Sequence, residues 1–207
     1  TTDKHHLVMD DGDETIWGEH VIGHRFIQNR SALLRHEPAT SINPDAEEAL
    51  HAAELITIAP GNLYGSLLPA LTVNGVAETI REAEAPVVVI SNLVNKPGQT
   101  DGWHVVDYVE TFERYLGEGQ IDVVLYNHSP PDEELIEKYA ADGEFPVRID
   151  RERFGEMSAT AVGADLVAGE IFVPHHQDKA IRRTLIRHDA VKVGQELMKI
   201  YEERAAK

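Results

Sequence analysis

Three short apolar runs, at residues 55–59, 86–91 and 121–126, lack the polar alternation of a half-exposed strand. β-Branched residues dominate the second and third runs. Continuous apolar runs of this length are typical of strands that are buried on both faces of a parallel sheet. We therefore expect the three runs to be neighbouring strands, with helices covering both sides of the sheet.

Helical periodicity separates these strands. Residues 103–116 place Val105, Val109, Phe112 and Leu116 on one face of a helix. An Asn-Pro-Asp start at Asn43 predicts a helix before the first run, because Asn caps helices and Pro suits their first turn. Further helices are predicted at residues 76–84, 132–141 and 189–203. Strands that alternate with helices of this length indicate crossover units and a parallel sheet.

The beginning of the chain has a different pattern. Residues 7–9 and 15–17 resemble two short strands joined by an acidic turn, and a further strand is predicted at 21–28. Shorter strands are predicted at 147–149 and 161–166. The predicted fold class is α/β, a three-layer α/β/α arrangement with a mostly parallel, Rossmann-like sheet and a small β-hairpin near the start. We expect residues 1–207 to form a single domain.

The charge balance restricts the possible partners. The 207 residues include 19 Lys and Arg against 36 Asp and Glu, a net charge of −17, and 42% are hydrophobic, enough for a substantial core. Binding to nucleic acid or to an acidic membrane depends mainly on phosphate neutralisation, so neither partner is expected. An anionic ligand needs a local group of donors, for which the candidate cations are Lys96, Arg182, Arg183 and Arg187.

Several classes of site and location can be assessed from composition. The apolar runs are far shorter than the roughly 20 residues of a membrane span, and no leader pattern opens the sequence, so we expect a cytoplasmic protein. The absence of cysteine excludes disulfides, Cys-ligated zinc and thiol nucleophiles. His5-His6 and His175-His176 are the densest histidine pairs, but adjacent side chains diverge, so we assign no metal site.

Three polar loops, at residues 60–66, 92–102 and 127–131, follow the three predicted strands. In a parallel sheet they would converge at the carboxyl edge, where such sheets bind ligands. A helix entered directly from a strand points its free amides at that edge, Gly61 permits close approach, and Asn62 and Ser66 add donors. The same Pro-Gly-Asn turn is also typical of an ordinary connector with a helix cap.

Other candidate groups also have two interpretations. Asp101 and Asp107 have the chemistry to act on a substrate, but Asp101 can instead order its own loop and Asp107 can stabilise a helix start. Asp189 can cap the last helix. Arg187 can then make a surface ion pair, or it can reach a phosphate or a uracil edge with its planar guanidinium.

The order and spacing of four motifs resemble the gluconeogenesis factor family (YvcK-type), a branch of the CofD-like superfamily. The motifs are Pro60-Gly-Asn-Leu-Tyr-Gly-Ser66, Asn92-Leu93, Pro97-Gly-Gln-Thr-Asp-Gly102 and Arg187-His188-Asp189. The resemblance extends from about residue 7 to residue 193. The family pattern is Gly-Pro-Gly-Ser-Leu-Tyr-Thr-Ser where this sequence has residues 59–66, and Pro-Gly-Glu-Thr-Asp-Gly where it has residues 97–102. This sequence departs from it at Ala59, Asn62, Gly65 and Gln99.

Family members also begin with a strand and a Gly-Gly-Gly-Thr-Gly phosphate loop, and this sequence contains neither. We therefore expect it to correspond to the carboxyl-terminal portion of a CofD-like domain. A parallel sheet without its other half has an unpaired edge, so we expect either a homo-oligomer or association with the amino-terminal half.

The resemblance implies a protein that binds a UDP-sugar such as UDP-N-acetylglucosamine and regulates carbon partition, cell-wall synthesis and cell shape. It implies a ligand-binding regulator rather than a catalyst; no catalytic residue and no cofactor are assigned. The alternatives are a phospholactate transferase-like enzyme and a purely structural interaction domain. The predicted ligand-binding residues are Pro60, Gly61, Asn62, Leu63, Tyr64, Ser66, Asn92, Pro97, Gly98, Thr100, Asp101, Asn127, Arg187 and His188.

Overall fold

A small antiparallel sheet is formed by the amino-terminal part of the chain. The computed structural model describes residues 1–27, 29–169 and 186–205. Strands β1 (His6–Asp11), β2 (Glu14–Trp17) and β3 (Leu33–Glu37) pair in the order β2-β1-β3. Strands β1 and β2 form the predicted hairpin, with Asp11 opposite Glu14 beside the turn.

The predicted strand at 21–28 is wrong. Residues Glu19–His24 form helix α1, and Gln28 lies outside the described residues. Gly18 has φ of 94°, a conformation that suits glycine, and its carbonyl accepts the Ile22 amide at 3.0 Å. The chain therefore leaves β2 and turns directly into a helix, and Val21 is on its exposed face.

The remaining helices lie close to their predicted positions. Asn43 caps the second helix by accepting the Asp45 amide at 2.8 Å. Pro69 lies in the first turn of a helix. The helices are α2 (Pro44–His51), α3 (Leu68–Leu71), α4 (Val76–Glu82), α5 (Val105–Leu116), α6 (Glu133–Ala140) and α7 (Ala190–Ala205), with a π-helical turn at Leu63–Leu67 and a 3-10 turn at Arg153–Glu156.

Four parallel strands make the central sheet: β4 (Ile56–Ile58), β5 (Val87–Ile90), β6 (Val123–Asn127) and β7 (Thr160–Ala164). They are arranged in the order β4-β5-β6-β7. The three predicted strands are neighbours, as expected, and β7 confirms the strand predicted at 161–166. The predicted strand at 147–149 is wrong, because Arg148 forms only an isolated bridge with His104.

Helices cover both faces of the sheet. Val88 and Ile90 of β5 pack in one apolar cluster with Ile200 of α7. Val87 and Val89, which alternate with them, belong to the main core together with α5. These two clusters confirm the three-layer α/β/α fold.

The outer strand β4 differs from this pattern. Its Ile56 and Ile58 are buried, but Thr57 between them is exposed. The expectation that all three strands are buried on both faces is therefore wrong for β4.

Among the described residues, no helix has both the length and the apolar character that a membrane span requires.

Candidate functional site

A crevice opens where β5 and β6 end side by side. Because Ile90 pairs with Leu125 in a parallel register, the loops that leave the two strands begin next to each other. The cavity between them has a volume of about 200 Å³. We call it the crevice; its lining consists of Ser91, Asn92, Leu93, Val105, Tyr126, Asn127, His128, Ser129, Pro130, Pro131, Pro146, Val147 and Ile149.

The turn after β4 is tied to the crevice by Asn92. The Asn92 side chain donates from Nδ2 to the Gly61 carbonyl and accepts the Gly61 amide at Oδ1, both at 3.0 Å. The Gly61 amide was expected to face a ligand, and the structure gives it an internal acceptor instead. Pro60, which precedes it, is half-buried.

Asn62 caps the helical turn that follows. Its Oδ1 accepts the Gly65 amide at 3.2 Å, and its carbonyl accepts the amides of Ser66 and Leu67. A Cβ added at Gly65 would lie 2.8 Å from Asn62 Nδ2. Two departures from the family pattern, Asn62 and Gly65, are thus physically coupled, because the larger cap needs the space that a glycine leaves.

Leu63 and Tyr64 were both predicted as ligand contacts, and their side chains face the core. Burial raises the pKa of the Tyr64 hydroxyl to about 12. Only the backbone of these residues faces the turn. Within the described part of the chain, the amides of Asn62, Leu63 and Tyr64 have no hydrogen-bond acceptor, as is usual at a helix start. Ser66 is exposed.

The loop after β5 is ordered by its own side chains. Asp101 accepts the Asn95 side-chain amide at Oδ1 and the Gly98 backbone amide at Oδ2, each at 2.7 Å. Thr100 accepts the Lys96 amide at 2.8 Å. Of the two interpretations of Asp101, the structure therefore supports loop ordering. Pro97 lies at the exposed tip of this loop.

Two side chains of this loop hold the carboxyl end of α1. Lys96 Nζ donates to the Gly23 carbonyl at 2.6 Å, and Gln99 Nε2 donates to the carbonyls of Ile22 and Arg25 at 3.0 and 3.3 Å. Burial lowers the pKa of the Lys96 ammonium. Lys96, a candidate cation for an anionic ligand, is therefore directed at α1 and not at the crevice.

Tyr108 was missed by sequence reasoning because it lies in the middle of α5. Its hydroxyl lies beside the side chains of Asn92 and Thr100, and burial raises its pKa to about 12. The hydroxyl is buried without a hydrogen-bond partner among the described residues, beside the loop that carries Thr100. Tyr108 lies among the buried residues of α5, as an ordinary core residue does. Its spacing in the sequence therefore does not distinguish it from the core.

Asp107 has a structural role at the start of α5. Its Oδ1 pairs with Arg30 and Arg153, each at 2.9 Å, and its Oδ2 accepts the His104 amide at 2.7 Å. Burial acts to raise the pKa of Asp107, but these hydrogen bonds and the two guanidinium charges outweigh it and lower the pKa. The structure therefore supports the helix-start interpretation.

The segment from Arg187 to Asp189 lies at the same edge of the sheet. Asp189 caps α7 by accepting the amides of Val191 and Lys192 at 2.9 and 3.1 Å. The Arg187 carbonyl accepts the Ala168 amide at 2.9 Å, just beyond β7. Arg187 is half-buried. The other candidates Arg182, Arg183, His175 and His176 lie outside the described residues.

His188 reaches the crevice wall directly. It forms an isolated bridge with Val167, and its ring lies beside the backbone of Ser91. Burial lowers its pKa, and the neighbouring Ser91 backbone opposes this only in part. Its Nε2 is buried without a partner among the described residues. Burial therefore disfavours the charged imidazole, and one ring nitrogen is unused within the described part of the chain.

Asn127 positions the far wall. Its Oδ1 accepts the Leu166 amide at 3.0 Å, and its Nδ2 donates to the Ser129 carbonyl. A second cavity of about 300 Å³ shares Pro130 and Pro131 with the crevice and extends towards Ile186 and Lys192. The structure thus brings together the predicted residues Asn92, Asn127 and His188, with the Gly61 turn beside them, while Pro97, Gly98 and Asp101 lie in the outer part of their loop.

Comparison with known proteins gives a consistent family. The family described as 2-phospho-L-lactate transferase CofD matches residues 1–167. The gluconeogenesis factor of Bacillus subtilis is 30% identical over 198 residues, which is 96% of this chain and 58% of that protein. A Thermotoga maritima protein, also described as a gluconeogenesis factor, is 33% identical over 186 residues, which is 88% of this chain and 56% of that protein.

A solved structure has the same fold. The crystal structure of a Bacillus halodurans protein superposes with a TM-score of 0.82 at 25% identity, covering 96% of this chain and 60% of that one. The chain thus spans between half and three fifths of the length of these three proteins.

Proposed function

The chain belongs to the CofD family, in its branch of gluconeogenesis factors, and from this premise we propose that it binds a nucleotide sugar of the UDP-N-acetylglucosamine type. In this proposal it acts as a regulator of carbon partition, cell-wall synthesis and cell shape, without turning the ligand over. The observation that carries the proposal is the crevice at the carboxyl edge, where β5, β6 and the turn at Gly61 meet.

The donors at this edge suit a diphosphate. The amides of Asn62, Leu63 and Tyr64 are unused within the described part of the chain, and a helix start favours negative charge. A protein of net charge −17 repels an anion elsewhere on its surface, so binding needs such a local group. Arg187 at the same edge is the proposed charged contact, through a bidentate guanidinium.

The size of the site bears on how the ligand is held. Sites for ligands of this size usually measure roughly 300–1,000 Å³. The crevice has about 200 Å³ and the adjoining cavity about 300 Å³. We propose that the two cavities hold part of the nucleotide sugar. The relatives are longer than this chain, and in the proposal their additional segment holds the remainder.

A transferase is the second candidate, favoured by the description of the matching family. In this alternative the same edge binds a nucleotide-linked phospholactyl donor, and a second substrate accepts the group. The two candidates differ in turnover: the regulator binds without consuming the ligand, and the transferase releases a nucleotide product only when the acceptor is present.

Calorimetric titration with UDP-N-acetylglucosamine tests the proposal. The protein is used in the longest form in which it occurs naturally. Saturable one-to-one binding with unchanged ligand after prolonged incubation is the expected result. UDP and N-acetylglucosamine, titrated separately, show which part of the ligand supplies the affinity. Product release that depends on an acceptor would favour the transferase. If no nucleotide binds saturably, the remaining alternative is a structural interaction domain.

A further inference from the structure

His20 and His24 lie one turn apart on the exposed surface of α1, with ring centroids 4.5 Å apart and ring planes inclined by 40°. We propose that this pair binds a divalent transition metal ion, Zn²⁺, Ni²⁺ or Cu²⁺, through the two Nε2 atoms. The proposal is independent of nucleotide-sugar binding, and the sequence pattern did not reveal it, because residues 21–28 were predicted as a strand and not as a helix.

The separation of the rings agrees with coordination of one ion. A metal bound at about 2.0–2.1 Å from Nε2 lies about 3.2 Å from the centroid of the imidazole ring. Two such rings are about 4.5 Å apart when the metal–nitrogen bonds meet at a right angle, and about 5.2 Å apart at a tetrahedral angle. The observed 4.5 Å is therefore at the near end of the range for a shared metal.

A hydrogen bond prepares one of the two ligands. His24 Nδ1 lies 2.8 Å from the His20 carbonyl oxygen. A carbonyl oxygen only accepts, so the His24 proton must be on Nδ1, and the Nε2 lone pair is left free. Metal-binding histidines are commonly held in this way, with the second ring nitrogen donating to a backbone carbonyl.

The ligand set indicates the class of metal. Imidazole nitrogen suits Zn²⁺, Cu²⁺ and Ni²⁺, whereas Mg²⁺ and Ca²⁺ prefer oxygen ligands. No group of three or more His, Asp or Glu side chains is placed to hold a metal in the described residues, so water completes the coordination shell. The net charge of −17 raises the concentration of cations near the surface.

Binding at this position would stabilise a short helix with a structural task. Helix α1 has six residues, and isolated helices of that length are unstable. Its last carbonyls accept the side chains of Lys96 and Gln99, which belong to the loop beside the crevice. A metal that bridges His20 and His24, the second and the last residues of α1, would therefore reduce fraying where the helix supports that loop.

The test is calorimetric titration with NiCl₂ and ZnCl₂ of the wild type, His20→Gln, His24→Gln and the double variant. His51→Gln is the matched control, because His51 is also an exposed helical histidine. We expect one site in the wild type and in His51→Gln. Each variant of the pair should bind about ten- to a hundredfold more weakly, since even loss of an outer-shell partner has an effect of that size. Affinity should rise from Co²⁺ through Ni²⁺ to Cu²⁺.

Protection of the α1 amides against hydrogen exchange gives a second measurement. Saturating NiCl₂ should slow hydrogen exchange of the amides at residues 22–25 in the wild type, and MgCl₂ should not. The proposal is overturned if the wild type and the double variant give the same titration, or if either single variant keeps the full affinity. Both histidines are exposed, so the variants are expected to keep the wild-type far-ultraviolet circular dichroism spectrum.

Discussion

Asn92 binds both backbone groups of Gly61 with one side-chain amide, through two hydrogen bonds of 3.0 Å. The pair joins the turn after β4 to the loop after β5, two segments that are 31 residues apart in sequence. It fixes the distance between the helix start and the crevice. The contact also explains why an asparagine suits this position, because a donor and an acceptor are both required.

Removing this amide should destabilise the protein. Asn92→Ala leaves a half-buried amide and carbonyl without partners, and we expect a loss of about 1–3 kcal/mol in the free energy of unfolding. Asn92→Asp keeps the acceptor but places a carboxylate oxygen against the Gly61 carbonyl, so it should also destabilise. Urea denaturation measures both. Asn74→Ala, at an exposed asparagine, is the control and should stay within about 0.5 kcal/mol of the wild type. Equal stability of Asn92→Ala and wild type would show that the pair contributes nothing.

The coupling of Asn62 and Gly65 predicts that Gly65→Ala changes the stability in the direction opposite to the usual one. Ala in place of a helical Gly normally stabilises by roughly 0.5–1 kcal/mol. At position 65 the new Cβ meets Asn62 Nδ2 at 2.8 Å, so Gly65→Ala should instead destabilise by about 1–3 kcal/mol. In an Asn62→Ser background the contact is gone, and Gly65→Ala should be neutral or stabilising. A double-mutant cycle by urea denaturation tests this, and strictly additive effects would refute the coupling.

Arg187 should contribute to ligand binding. A charge-assisted hydrogen bond is typically worth about 1.5–3 kcal/mol, so Arg187→Ala should weaken binding of UDP-N-acetylglucosamine roughly ten- to a hundredfold. Arg187→Lys should recover part of this, because the ammonium keeps the charge but not the planar guanidinium. Calorimetric titration measures the affinities, with Arg151→Ala at an exposed arginine as control. Equal affinities for wild type and Arg187→Ala would remove Arg187 from the site.

The lowered pKa of His188 predicts a pH dependence of stability. The unfolded chain takes up the proton near the usual value of about 6.5, and the folded protein takes it up only at lower pH. Between these values the unfolded state binds more protons, so stability falls as the pH is lowered from 7.5 to 5.5. His36, whose pKa is also lowered by burial, acts in the same direction.

His188→Gln should reduce the loss of stability that occurs as the pH is lowered. The variant removes one titrating group, so the difference in melting temperature between pH 7.5 and pH 5.5 should be smaller than in the wild type, with His36 supplying the remainder. His51→Gln, at an exposed histidine, should behave as the wild type. An unchanged pH dependence in His188→Gln would contradict the assignment.

The outer position of β4 predicts association. In the described part of the chain, β4 pairs only with β5, and the Thr57 side chain on one face of β4 is exposed. Unpaired strand edges favour pairing with another chain. We expect this chain to form a homo-oligomer, or to associate with the additional segment of its longer relatives. Light scattering at micromolar concentration measures the mass. Thr57→Lys should shift the equilibrium towards monomer, and Ser66→Lys, away from the sheet, should not. A strictly monomeric wild type would count against this expectation.

Much of the fold could be predicted from local pattern. The apolar runs at residues 86–91 and 121–126 determined that two strands are buried and parallel, because a strand without a polar face must be covered on both sides. The Asn43-Pro44 start and the stripe of α5 located two helices for equally local reasons, capping and a period of 3.6 residues. The motif order further identified the family, which the comparisons confirm.

Only the tertiary structure decided how the polar groups are used. The sequence placed Gly61, Lys96, Asp101 and Asn92 at the same edge of the sheet, but it could not show that Asn92 takes the Gly61 amide or that Lys96 turns to α1. The predicted strand at 21–28 failed for a related reason, since Gly18 redirects the chain into a helix whose end these side chains hold. Periodicity reports which face of an element is buried, whereas the partner of a polar side chain depends on contacts between residues that are distant in sequence, and local pattern carries no information about those contacts.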